Sequence, residues 1–108
     1  MKPNGPSRTA LMIARQRAAH QVLDHGSVFY DPFALTILHE DEQHVVQFAT
    51  AHPLASIGRL FTAARSRIAE DALSAAVERG IRQIVILGAG LDTFALRRPP
   101  GCTTDPYL

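Results

Sequence analysis

The sequence predicts an α/β chain: helices over residues 7–80, then one strand, a glycine turn and a short helix over 81–98. Three observations carry this reading. Apolar residues recur at three- and four-residue spacing from Leu54 to Arg79, the mark of an amphipathic helix. The run Ile84-Val85-Ile86-Leu87 abandons that period for aliphatic residues without alternation, as a strand buried on both faces of a parallel sheet does. Gly88-Ala89-Gly90 follows at once and bends the chain sharply.

The elements follow in order. Residues 1–6, with Pro3, Gly5 and Pro6, read as a loose leader. Ser7 is an N-cap candidate, and helical spacing of Leu11, Met12, Ala14, Ala18, Ala19, Val22 and Leu23 holds until Gly26. Asp31-Pro32 is a second start signal, because the carboxylate caps and proline needs no hydrogen bond in the first turn; the helix it opens should turn Phe33, Ile37 and Leu38 inward. The acidic cluster Glu40, Asp41, Glu42 is a turn or a solvated face, and Val45, Val46, Phe48 and Ala49 make a third short helix closed by Pro53. The longest helix, about 54–79, should bury Ile57, Leu60, Phe61, Ala64, Ile68, Ala72 and Ala76, with Gly80 as its left-handed C-cap. Leu91 to Arg98 has room for one or two helical turns before Pro99-Pro100, and 99–108 reads as an irregular tail.

Composition limits the possibilities. At 108 residues the chain is one small domain or a piece of a larger one, and 46% hydrophobic content excludes wholesale disorder. No stretch approaches the roughly 18 apolar residues of a membrane span. Eleven basic and ten acidic residues, a formal charge of +1, give no field that argues for nucleic acid or an anionic membrane. Cys102 is alone, and the apolar run Ala10 to Ala14 is shorter than the roughly 7 residues of a signal-peptide core; the expectation is a cytoplasmic protein.

The segment Ile84 to Thr93 carries the chemistry. A buried strand, a glycine turn and a helix start form the first half of a nucleotide-binding unit, in which glycines admit a ligand close to the backbone and helix N–H groups face it. The third glycine of the dinucleotide fingerprint falls on Thr93, against a nicotinamide or flavin ligand, and a strand turn without any ligand stays open on this segment alone.

With its neighbours the segment becomes specific. Leu87-Gly88-Ala89-Gly90-Leu91-Asp92-Thr93, preceded by Ala64-Arg65-Ser66-Arg67-Ile68-Ala69-Glu70-Asp71 and by Asp31-Pro32-Phe33-Ala34, resembles the N-terminal part of the leucine carboxyl methyltransferase family, in particular its bacterial S-adenosylmethionine-dependent branch. The resemblance covers about Ser7 to Arg98. It implies the first βα unit of a class I, Rossmann-like methyltransferase fold, with S-adenosylmethionine as methyl donor and an oxygen nucleophile, carboxylate or small molecule, as acceptor. It also implies that Gly88, Ala89 and Gly90 admit the donor and that an Arg of the preceding helix binds its carboxylate, for which guanidinium is suited by its bidentate geometry. Arg65 is the first match and Arg67 the second, since two positions along a helix project about 200° apart. Asp92 and Thr93 join the donor site or simply cap the short helix.

Elsewhere the signals are bland. His39 and His44 are five residues apart, and on a helix the rings diverge, so no metal site is expected. His20, His25 and His52 should face solvent or cap. Arg15 and Arg17 lack interleaved aromatics, so their helix should cover a pocket or a partner instead of nucleic acid. No second strand is expected: Asp105 is followed by Pro106 and preceded by no apolar run, so the chain reads as a methyltransferase truncated before that strand. An uncovered strand 84–87 then predicts association. The other class of function left open is a non-catalytic helical fragment or binding module.

Overall fold

The computed structural model describes residues 7–87, 90–97 and 103–107. Among these described residues, five helices and two strands follow in the order α1 (Arg8–Leu23), α2 (Ala34–Leu38), α3 (Glu42–Thr50), α4 (Ala55–Glu78), β1 (Gln83–Leu87), α5 (Phe94–Arg97) and β2 (Thr103–Tyr107). The expected cap at Ser7 forms, its Oγ accepting from the Ala10 amide at 3.1 Å; a cap that was not expected forms at Asp41, whose Oδ1 accepts from His44 N at 2.7 Å. The acidic cluster is thus partly a helix start. Asp31 does not start α2 directly. Its Oδ1 accepts from Phe33 N at 3.0 Å, and the helix begins at Ala34.

Helix α1 is the centre of the N-terminal layer. It buries Ala14, Arg17, Ala18, Ala19 and His20, positions spread around much of the helix, because it packs on α2, α3 and α4 together. Its small residues form one core with Ala34, Leu38, Val45 and Ala49. Across α4 the contacts run antiparallel: Asp24 of the loop after α1 meets Arg59 at 2.7 Å, and Gln16 accepts from Thr62 Oγ1 at 2.6 Å. A β-carbon on Gly58 would lie 2.8 Å from Gln16 Nε2, so a larger side chain there would displace the Gln16 amide from its place between the two helices.

Three expectations are corrected. Helix α4 buries Thr62 and Ala63, while Ile57, Leu60, Phe61 and Ile68 of its apolar stripe are exposed; the face that packs on α1 is the small-residue face. Strand β1 is not buried on both sides: Ile84 is enclosed with Phe94, but Val85 and Leu87 are exposed. A second strand exists. β2 runs parallel to β1 in the register Gln83↔Thr103 to Leu87↔Tyr107, so part of the expected irregular tail is regular. Pairing needs only backbone donors and acceptors, and an edge strand tolerates a proline such as Pro106; neither leaves a hydrophobic signature in the sequence.

The loop between α1 and α2 is held by two side chains of α1. His20, expected at the surface, is fully buried. Its Nε2 accepts from the amides of Val28 and Phe29 at 3.2 and 3.1 Å, which leaves the proton on Nδ1 for donation to Asp24 at 2.9 Å. Gln21 donates to the Phe29 carbonyl and accepts from the Asp31 amide, both at 2.9 Å. Gly26, at φ +63°, makes the bend; a β-carbon there would sit 2.7 Å from Gln21 Oε1.

Candidate functional site

A cavity of about 370 Å³ opens between α1, α4, β1 and the segment 92–97, within the range of small-ligand sites. Arg17 of α1, Arg65 and Glu70 of α4, Ile84 to Leu87 of β1, and Asp92 border it. A second cavity of about 290 Å³ is bordered by Ser7, Thr9, Ala10, Arg17, Arg65, Leu91 and Asp92, so the first turn of α1 faces Arg17, Arg65 and Asp92, which also border the first cavity. The larger cavity reaches the carboxyl-terminal half of β1, where ligands of open α/β sheets bind.

The expected site residues divide. Arg65 and Asp92 come together on both cavities. Arg65 is exposed and makes no hydrogen bond or ion pair with another described residue. Arg67, the second candidate, points away: it pairs with Asp71 one turn on at 3.0 Å, with both side chains mostly in water. Asp92 accepts from Phe94 N at 2.7 Å, which caps the short helix with one oxygen. Gly90 has φ +50°, a conformation that favours glycine. Thr93 is fully buried. Gly88 and Ala89 lie outside the described residues.

A charge cluster that sequence reasoning missed joins the cavity wall, where Arg17, Glu70, Thr93 and Arg97 lie, to Asp31 behind it. Asp31 is 2% exposed. Its Oδ2 accepts from Thr93 Oγ1 at 2.6 Å and lies 3.8 Å from Arg17 Nε, and its Oδ1 lies 3.3 Å from Arg97 Nε. Arg97 forms a bidentate pair with Glu70, both bonds 2.8 Å, donates to Thr93 Oγ1, and stacks 5.1 Å from the Phe29 ring centre. Burial opposes the Arg97 charge, but the bonds to Glu70 and the fields of Asp31, Glu70 and Asp92 outweigh it and raise its pKa above the ordinary guanidinium value. Arg17 donates to the Leu91 carbonyl, while its Nε is buried without a hydrogen-bond partner. The signals in sequence were slight: Asp31 read as a helix cap, and its partner Thr93 is 62 residues away.

Among the described residues no cluster of His, Cys, Asp and Glu has the makings of a metal site, and no helix is long and apolar enough to cross a membrane. Of the remaining histidines, His52 caps by accepting from Leu54 N at 3.1 Å, and His25 is exposed at φ +55°.

Residues 10–104 match the leucine carboxyl methyltransferase family. A Frankia alni protein, provisionally named an S-adenosyl-L-methionine-dependent methyltransferase, is 30% identical over 103 residues, covering 90% of this chain and 36% of the relative. A Parafrankia protein with the same kind of provisional name is 48% identical over 46 residues, covering 43% of this chain and 15% of the relative. The chain thus spans about a third or less of the length of these relatives.

Proposed function

The chain belongs to the leucine carboxyl methyltransferase family, and on that premise we propose that its α1–α4–β1 cavity holds the amino-acid end of S-adenosylmethionine for methyl transfer to an oxygen nucleophile, a carboxylate by preference. The observation that carries this reading is Arg65, an unpaired guanidinium on a cavity at the carboxyl end of a parallel strand. Both provisionally named relatives point to the same donor. The donor sets the charges a site must offer: a carboxylate, an ammonium and a sulfonium, the last of which supplies an electrophilic methyl group.

The residues present fit that group. Arg65 binds the carboxylate through a charge-assisted pair, aided by the first turn of α1, whose N–H groups favour an anion. Asp92 spends one oxygen on Phe94 N and has the other for the ammonium. Ile13, Leu73, Ile84 and Phe94 give the larger cavity its apolar walls. The α/β arrangement, with β1 and β2 parallel and a short helix in their connection, is the start of a Rossmann-like unit under this reading. Catalysis of this kind is mainly alignment of donor and acceptor, worth about 7–11 kcal/mol as effective molarity, and a carboxylate acceptor needs no general base.

Calorimetric titration with S-adenosylmethionine tests the proposal. Wild type should bind in the micromolar range, Arg65→Ala should weaken binding at least about tenfold, as loss of a hydrogen bond to a charged group does, and Arg67→Ala should leave it unchanged. No heat at millimolar donor, or equal losses in the two variants, would overturn the proposal in favour of a non-catalytic helical module.

A further inference from the structure

We infer that Asp31 is a positioning residue for the donor cavity: a buried latch that fixes the backbone from Leu91 to Thr93 against α1 and α4. This deepens the methyl-donor reading and rests on it. Asp31 borders neither cavity, so it acts only through the groups it holds.

Three tethers meet at this carboxylate. Thr93 donates its hydroxyl proton to Oδ2 at 2.6 Å. Arg97 approaches Oδ1 at 3.3 Å while its other nitrogens grip Glu70 of α4. Arg17, 3.8 Å away, holds the Leu91 carbonyl. Leu91 and Thr93 are the immediate neighbours of Asp92, the acidic residue that borders both cavities. Arg17, Thr93 and Arg97 themselves border the larger cavity, so Asp31 sets that wall from behind through its bonds to them.

The latch is itself anchored. The Asp31 amide donates to Gln21 Oε1 at 2.9 Å, its Oδ1 takes the Phe33 amide, and His20 secures the preceding residues Val28 and Phe29. A buried carboxylate between guanidiniums contributes little net stability compared with an apolar filling of the same space, because desolvation offsets attraction. What such a cluster contributes is fixed geometry, and the geometry it fixes here is the turn after β1.

The test uses Thr93, whose hydroxyl is the direct tether. Thr93→Val keeps the volume and removes the donor; Thr93→Ser restores it. Amide hydrogen exchange at 90–95 should quicken about tenfold in Thr93→Val and return to the wild-type rate in Thr93→Ser, with α3 amides unchanged. S-adenosylmethionine affinity should fall about tenfold in the valine variant and recover in the serine variant. A purely structural role would lower the unfolding midpoint without moving affinity or singling out 90–95, and that result overturns the inference, as does wild-type behaviour of Thr93→Val. If wild type takes up no donor, the donor reading falls and the exchange measurement alone decides whether the latch exists. Should Thr93→Val not fold, Thr93→Cys, whose thiol is a weak donor, is read by the same two measurements.

Discussion

The helical layer around α1 and the region around β1 cover their apolar residues to different degrees. In the N-terminal layer the apolar residues close on one another: Ala14, Ala18, Ala19, Ala34, Leu38, Val45 and Ala49 form a single core around α1. Around β1, among the described residues, Ile84 and Phe94 alone form an enclosed apolar cluster, while Ile68 stays 71% and Leu87 79% exposed. Both regions carry apolar residues at regular spacing. The contrast teaches that periodicity identifies a face that favours cover, and that cover depends on what the rest of the chain brings to it.

The largest expected effect tests the closed side. Leu38→Ala should destabilise the protein by about 2–5 kcal/mol in urea unfolding, since it empties a filled core position; a loss below about 1 kcal/mol would show that this core is no better packed than the face around β1. Acid should loosen the same side next. The Asp24 pKa is lowered chiefly by its hydrogen bond to Arg59, with further help from His20, and that of Glu40 chiefly by its hydrogen bond to Arg15. For carboxylates with depressed folded values, the added stability is present above their unfolded pKa of about 4 and is lost as pH falls through the folded values. The thermal midpoint should drop across that window, and Arg59→Met should flatten the drop; a midpoint indifferent to pH there would remove these pairs from the account. The smallest effect belongs to the open side: Ile68→Ala should change stability by no more than about 0.5 kcal/mol, and a core-sized loss would mean that the stripe is covered in solution.

Local signals were legible in the sequence where their physics is local. Ser7 caps α1 as its residue type directs, and α4 ends before Gly80 at φ +108°; Asp41, read as part of a turn or solvated face, caps α3. Long-range contacts were not legible. His20 is buried because amides eight and nine residues on return to its ring, and no spacing rule announces that. Asp31 has the residue type and position of a helix cap, yet its second oxygen answers Thr93 across the fold. β2 was hidden because parallel pairing with β1 is a matter of backbone, and Thr103 to Tyr107 has no apolar alternation to reveal it.

The close crossing of α1 and α4 gives the molecule a pair of calipers. Arg17 and Arg65 sit on opposite jaws, and at the pivot the Gln16 side chain lies over Gly58 and accepts from Thr62 Oγ1. A methyl group added at Gly58 would press on the end of the Gln16 side chain, which relieves the contact by swinging away at the expense of its bond to Thr62 Oγ1. The cost of bulk there falls first on a side-chain bond between the helices and not on their spacing.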